Sequence, residues 1–134
     1  MAVVLCTGVN RSLIMTRVLI LESAGHIAVP APSVQEVIAA CEKRRFDVAV
    51  IGQAVTRAEK LRIFHLVRER CPGAKILELY RPVDGGQILE QADDALEVPA
   101  AVPSDLPERV EALAANSARA TARKSPSGKN RKRS

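Results

Sequence analysis

The chain has 134 residues, 47% of them apolar, and a formal net charge of +5. That length supports one core and not two, and with Phe46, Phe64 and Tyr80 as the only aromatics it lacks the stacking platforms of single-stranded nucleic-acid binders. The charge is uneven: from Arg119 onward there are seven Lys/Arg and no acid, which leaves thirteen basic and fifteen acidic residues before it, so attraction to nucleic acid by net charge belongs to the tail.

Ala2–Cys6, "AVVLC", is a short continuous apolar run, the pattern of a central strand. "SLIMTRVLILESAG" reads as a helix with Ser12 as N-cap and Gly25 as terminator. "HIAVP" is a short strand stopped by Pro30 and Pro32. Ser33 caps "VQEVIAACEKRR", with Glu36 placed as in a capping box. Val34, Val37, Ile38 and Cys41 form its apolar face. Phe46–Gly52, "FDVAVIG", is the next buried strand. "TRAEKLRIFHLVRERC" follows as a helix, closed by Pro72–Gly73. "AKILELY" is a fourth strand, "DGGQILEQA" a weak helix carrying the cost of Gly85 and Gly86, and "DALEVP" a fifth strand. "SDLPERVEALAANSA" is the last helix, capped by Ser104, with Asp105 and Glu108 at its positive end.

The alternation of strands and helices predicts an α/β fold: a doubly wound, five-stranded parallel sheet with helices on both faces, over residues 1–116. Residues 117–134 are polar and basic and read as a disordered tail. No apolar run approaches the roughly 18 residues of a membrane span, and the opening strand leaves no room for a targeting segment. Cys6, Cys41 and Cys71 form no CxxC pair and read as reduced thiols in a cytoplasmic protein. With His26 and His65 on separate elements, no metal site is expected. Asp93-Asp94 reads as the solvated start of a strand.

A ligand on such a sheet sits at the carboxyl ends of the strands. The first of these, "VVLCTGVNRS", resembles the phosphate loop of low-molecular-weight tyrosine phosphatases, in which a cysteine attacks phosphorus and an arginine clamps it. Only Thr7, Gly8, Val9 and Asn10 separate Cys6 from Arg11, one residue fewer than that loop, and no Asp-Pro pair supplies a leaving-group acid. Cys6 then reads as a buried apolar residue, and Arg11 as solvated in the first turn of a helix.

Residues 2 to about 116 resemble the receiver domain of bacterial response regulators. The resemblance rests on element order and on the phrases "ESAGHIAVPAPSVQEVIAACEKRRFDVAVIG", "VRERCPGAKIL" and "QADDALEVP". It implies a receiver/flavodoxin-like fold, and it locates four chemical roles. The Mg²⁺-binding acids fall on Thr7, Gly8 and Val9. The phosphoacceptor falls on Gly52. The Ser/Thr position falls on Tyr80, and the lysine position on Glu97 or Val98. None of these residues supplies the needed group, and Asp47 begins its strand at the opposite end of the sheet.

The expected function is therefore a degenerate receiver: a non-enzymatic, phosphorylation-independent signalling or protein-interaction module, with no cofactor and no metal, that meets a protein partner of its pathway and leaves a homodimer open. The alternatives are a degenerate cysteine phosphatase-like protein and a small nucleic-acid-associated protein. The latter would make weak, non-specific contact through Arg123, Lys124, Lys129, Arg131, Lys132 and Arg133.

Overall fold

The computed structural model describes the backbone of residues 1–53, 56–100, 102 and 104–124, and side chains as far as residue 116. Five strands, β1 (Val3–Thr7), β2 (Ile27–Ala31), β3 (Val48–Ile51), β4 (Lys75–Tyr80) and β5 (Asp94–Glu97), form one sheet in the order β2-β1-β3-β4-β5, all pairs parallel. The helices are α1 (Arg11–Ser23), α2 (Val34–Lys43), α3 (Arg57–Arg70) and α4 (Asp105–Lys124). The chain order reverses between β1 and β3, so their carboxyl ends frame the crevice where such sheets hold ligands.

Strand alternation builds two cores. Val4 and Cys6 of β1, Val48 and Val50 of β3, and Leu77 and Leu79 of β4 meet Ile14, Val18 and Leu21 of α1 and Leu106, Val110 and Leu113 of α4. On the other face, Leu5, Ala49, Ile51 and Ile76 meet Val37 of α2 and Ile63, Phe64 and Val67 of α3. With so few aromatics, the first layer is aliphatic and the second holds only the rings of Phe46 and Phe64 among aliphatic side chains.

Four local expectations change. The N-cap of α1 is Asn10, whose Oδ1 accepts the Leu13 N–H at 3.1 Å; Ser12 lies inside the first turn, and its carbonyl accepts from Thr16 Oγ1 at 3.0 Å. Gly25 does end the helix, at φ +92°.

The weak helix expected at "DGGQILEQA" is not formed. A single 3₁₀ turn, Pro82–Asp84, is followed by Gly85 and Gly86, both at positive φ. The carboxylate of Glu78, rising from β4 beneath this loop, accepts the backbone N–H groups of Ile88 at 2.8 Å and Leu89 at 3.0 Å. Those donors are committed to a side chain rather than to a helical ladder, and Leu89 is drawn into the core.

The cysteines are not all thiols. Cys41 near the end of α2 and Cys71 at the end of α3 form a disulfide, and Cys6 alone is free. The two helices pack side by side and end at the same edge of the sheet, so their last turns bring the sulfurs together.

The last helix also runs further than expected. Residues 117–124, assigned by sequence to the tail, continue α4 to Lys124. This stretch is rich in Ala, Arg and Lys, all good helix formers, and the first breaker in the sequence is Pro126. Arg123 and Lys124 belong to this helical extension. Lys129, Arg131, Lys132 and Arg133 lie outside the described residues.

Candidate functional site

The crevice is built from the β1–α1 turn, the end of β3, and the ends of β4 and β5. At its floor, Thr7 is buried and its hydroxyl donates to the Val50 carbonyl at 3.0 Å. Gly8 turns the chain at φ +148°, and Val9 faces solvent. The stretch that should carry metal-binding acids thus offers a hydroxyl already used, a glycine and an exposed valine. Among the described residues no group of three His, Cys, Asp or Glu side chains is arranged to hold a metal ion.

Gly52 follows β3 directly, and its N–H bonds the Thr7 carbonyl at 3.2 Å. The space beside it is occupied. A Cβ placed on Gly52 would lie 2.9 Å from Nη1 of Arg17 and 3.2 Å from the Thr7 carbonyl oxygen. Arg17 reaches there from α1, is only 9% exposed, and donates through Nη2 to Oε1 of Gln53. No carboxylate among the described residues lies within ion-pair distance of it. Burial lowers its pKa below the ordinary arginine value, partly opposed by its Coulombic coupling to Cys6, yet guanidinium remains a cation at any ordinary pH. The space beside Gly52 therefore holds a positive charge.

Tyr80 ends β4 half-buried, and its carbonyl accepts the Val98 N–H at 2.9 Å. Val98 packs against the α1/α4 core rather than reaching across the crevice, and the Val98–Pro99 peptide is cis. The structure therefore brings Thr7, Gly8, Gly52, Tyr80 and Val98 to one end of the sheet, with Val9 exposed at its rim.

Cys6 is 1% exposed. Burial, the dominant cause, pushes its thiol up to about 12, with Arg17 pulling down and Glu22 pushing up. Such a group is a thiol and not a thiolate at neutral pH. Arg11 lies with 76% of its side chain exposed and pairs at 3.7 Å with Glu36 of α2. Cys6 and Arg11 thus do not converge on one anion.

Sequence reasoning missed two buried charges beside Arg17. Lys60 Nζ lies 2.8 Å from Glu78 Oε2 and donates to the Leu79 carbonyl at 2.8 Å, with both side chains essentially buried. Glu78 of this pair is the same carboxylate that holds the Ile88 and Leu89 N–H groups. The remaining charges are structural or peripheral. Asp47 Oδ2 accepts the Val3 N–H at 2.8 Å at the amino end of the sheet. Asp93 Oδ2 accepts the Ile76 N–H at 2.7 Å, consistent with a strand-starting role. His26 is buried, with Nδ1 accepting the Ala2 N–H at 2.9 Å; His65 is exposed.

No family model matches the sequence, and no curated protein matches it. Solved structures do. An adenylate cyclase structure from Rhodopirellula baltica superposes with a TM-score of 0.76 at 21% identity, covering 90% of this chain and 92% of that one. A CheY-like response regulator receiver domain protein from Methanospirillum hungatei JF-1 gives 0.73 at 20% identity, covering 88% and 97%. The response regulator TrrA from Thermotoga maritima, crystallised with Mg²⁺-BeF, gives 0.68 at 18% identity, covering 84% and 99%. These likenesses establish the fold: a flavodoxin-like receiver sheet of five parallel strands.

Proposed function

We propose that this chain is a receiver-type signalling domain that has lost phosphoryl chemistry and works as a phosphorylation-independent protein-interaction module. The observation that carries the reading is the Arg17 guanidinium seated against Gly52. The nucleophile is absent, and its space is filled by a cation from the same chain. A second cation, Mg²⁺, is repelled rather than drawn by such a pocket, and no carboxylate of Thr7-Gly8-Val9 offsets the repulsion.

The reading makes the chain a non-enzyme. A buried Cys6 thiol and an outward-facing Arg11 weigh against phosphatase chemistry. Its partner is a protein of a signalling pathway of the bacterial two-component kind, acting in the cytoplasm, and a homodimer is compatible with it. No helix among the described residues is long and apolar enough to cross a membrane. Contact with nucleic acid, where it occurs, is weak and comes from the basic terminus.

Incubation of the full chain with acetyl phosphate and Mg²⁺, followed by intact mass measurement, tests the reading. No phosphoryl adduct should form, while a competent receiver in the same tube is modified. A Mg²⁺-dependent, hydroxylamine-labile adduct on this chain would overturn it.

A further inference from the structure

On the α1/α4 side of the sheet, a cleft of about 630 Å³ opens over the ends of β4 and β5, within the roughly 300–1,000 Å³ of small-molecule sites. Its walls are aliphatic: Leu13 and Ile20 of α1, Leu79 of β4, Leu96 and Val98 at β5, and Leu106 of α4. Arg17 and Gln53 also line it. Arg17 is nine-tenths buried, and its only protein hydrogen bond among the described residues goes to the Gln53 side chain. A buried cation normally has an anionic partner, and here the described residues place none within ion-pair distance. Arg81, near the mouth, is already held by Asp84 through contacts of 2.8 and 3.2 Å.

We propose that this cleft binds a small aliphatic carboxylate, with the carboxylate on the Arg17 guanidinium and the hydrocarbon body along Leu13, Ile20, Leu79 and Leu106. The planar fork of a guanidinium matches a carboxylate. One unpaired cation matches a monoanion, whereas a phosphate dianion would bring a second charge with no partner. The walls carry no aromatic ring, which favours an alkyl chain over a flat ring system. The Gln53 amide, which holds Arg17 in place, offers its NH₂ group as a further donor to the bound anion.

The test is a titration of the ¹⁵N-labelled full chain with sodium octanoate up to millimolar concentration. Octanol, acetate and octyl phosphate serve as probes of the tail alone, the head alone and the dianion. Octanoate should bind saturably, shifting the amides of Leu13, Gln53 and Val98, and the other three should bind at least tenfold more weakly. Arg17→Met, of similar volume, should weaken octanoate at least tenfold. Thr16→Trp, at an exposed position on the rim, should block binding while leaving the core and Arg17 intact, so that a loss is readable even where Arg17→Met fails to fold. Four results would overturn the proposal: no saturable octanoate binding to the folded chain, equal binding of octanol, tighter binding of octyl phosphate, or unchanged affinity in Thr16→Trp or in folded Arg17→Met.

Discussion

Arg17 Nη1 lies 2.9 Å from the point where residue 52 would carry its Cβ, so the guanidinium occupies the space a side chain at position 52 would need. Any side chain at position 52 must displace the guanidinium or share its space. Gly52→Ala should therefore destabilise the fold, by about 1–3 kcal/mol as for other overpacked core sites. Gly52→Asp should cost less than Gly52→Ala, because its carboxylate can pair with Arg17. Urea unfolding of both variants measures the difference; equal stability of all three proteins would mean that Arg17 does not fill the site.

Lys60 and Glu78 form a buried pair that also anchors the loop after β4 through Ile88 and Leu89. Removing one partner leaves a buried charge, so Lys60→Met should cost about 3–5 kcal/mol. Lys60→Met/Glu78→Gln removes the orphaned charge and keeps one amide oxygen to accept a backbone N–H, at the expense of the second N–H now held by the carboxylate. It should be more stable than Lys60→Met alone in chemical denaturation. A double variant no better than the single one would show that the charges are not coupled.

Cys6 gives a pH dependence with a defined sign. Its folded thiol is raised to about 12 from 9.0, so between these values the unfolded chain loses a proton that the folded chain retains. Stability is then full below pH 9 and falls as pH rises toward 12, by up to about 4 kcal/mol from this group. Cys6→Ala should flatten that part of the alkaline limb relative to wild type. Native Cys6 should also resist iodoacetamide until the protein unfolds. Rapid alkylation of the folded protein at neutral pH would contradict the buried-thiol assignment.

The Cys41–Cys71 bridge closes a loop of 30 residues. The chain-entropy account assigns such a loop about 3–4 kcal/mol. Reduction should lower the thermal midpoint while the far-ultraviolet spectrum keeps its α/β form, since Cys41 and Cys71 sit at the edge of a core that also holds Leu5, Val37, Ile51, Ile63, Phe64 and Ile76. Loss of secondary structure on reduction at ambient temperature would make the bridge a condition of folding.

Much of this fold was legible in the residues. Continuous runs such as "AVVLC" and "DVAVIG" mark buried parallel strands, and of the expected apolar face of α2, Val37 and Cys41 do pack on the core, whereas Val34 and Ile38 stay half-exposed. The sequence places a glycine at the end of β3, and the residue that fills the space beside it was only half visible. Arg17 sits in the stripe Ile14, Val18, Leu21, where helical spacing places it inward, but nothing local says that it meets the end of β3. Lys60 likewise precedes Ile63, Phe64 and Val67 at spacings of three, four and seven, and Glu78 alternates with Ile76 on one face of β4. Their partnership is a long-range fact, set by a helix failing to form between β4 and β5. Spacing between Cys41 and Cys71 carried no signal of pairing, because the bridge depends on α2 and α3 ending side by side.

The central claim is that the phosphoacceptor site is occupied from within and takes neither metal nor phosphoryl group. The most direct measurement is the amide spectrum of the ¹⁵N-labelled chain titrated with Mg²⁺ and then with beryllofluoride. The amides of Thr7, Gly8, Gly52 and Gln53 should stay where they are at every concentration. Saturable, Mg²⁺-dependent shifts centred on Gly52 would contradict it.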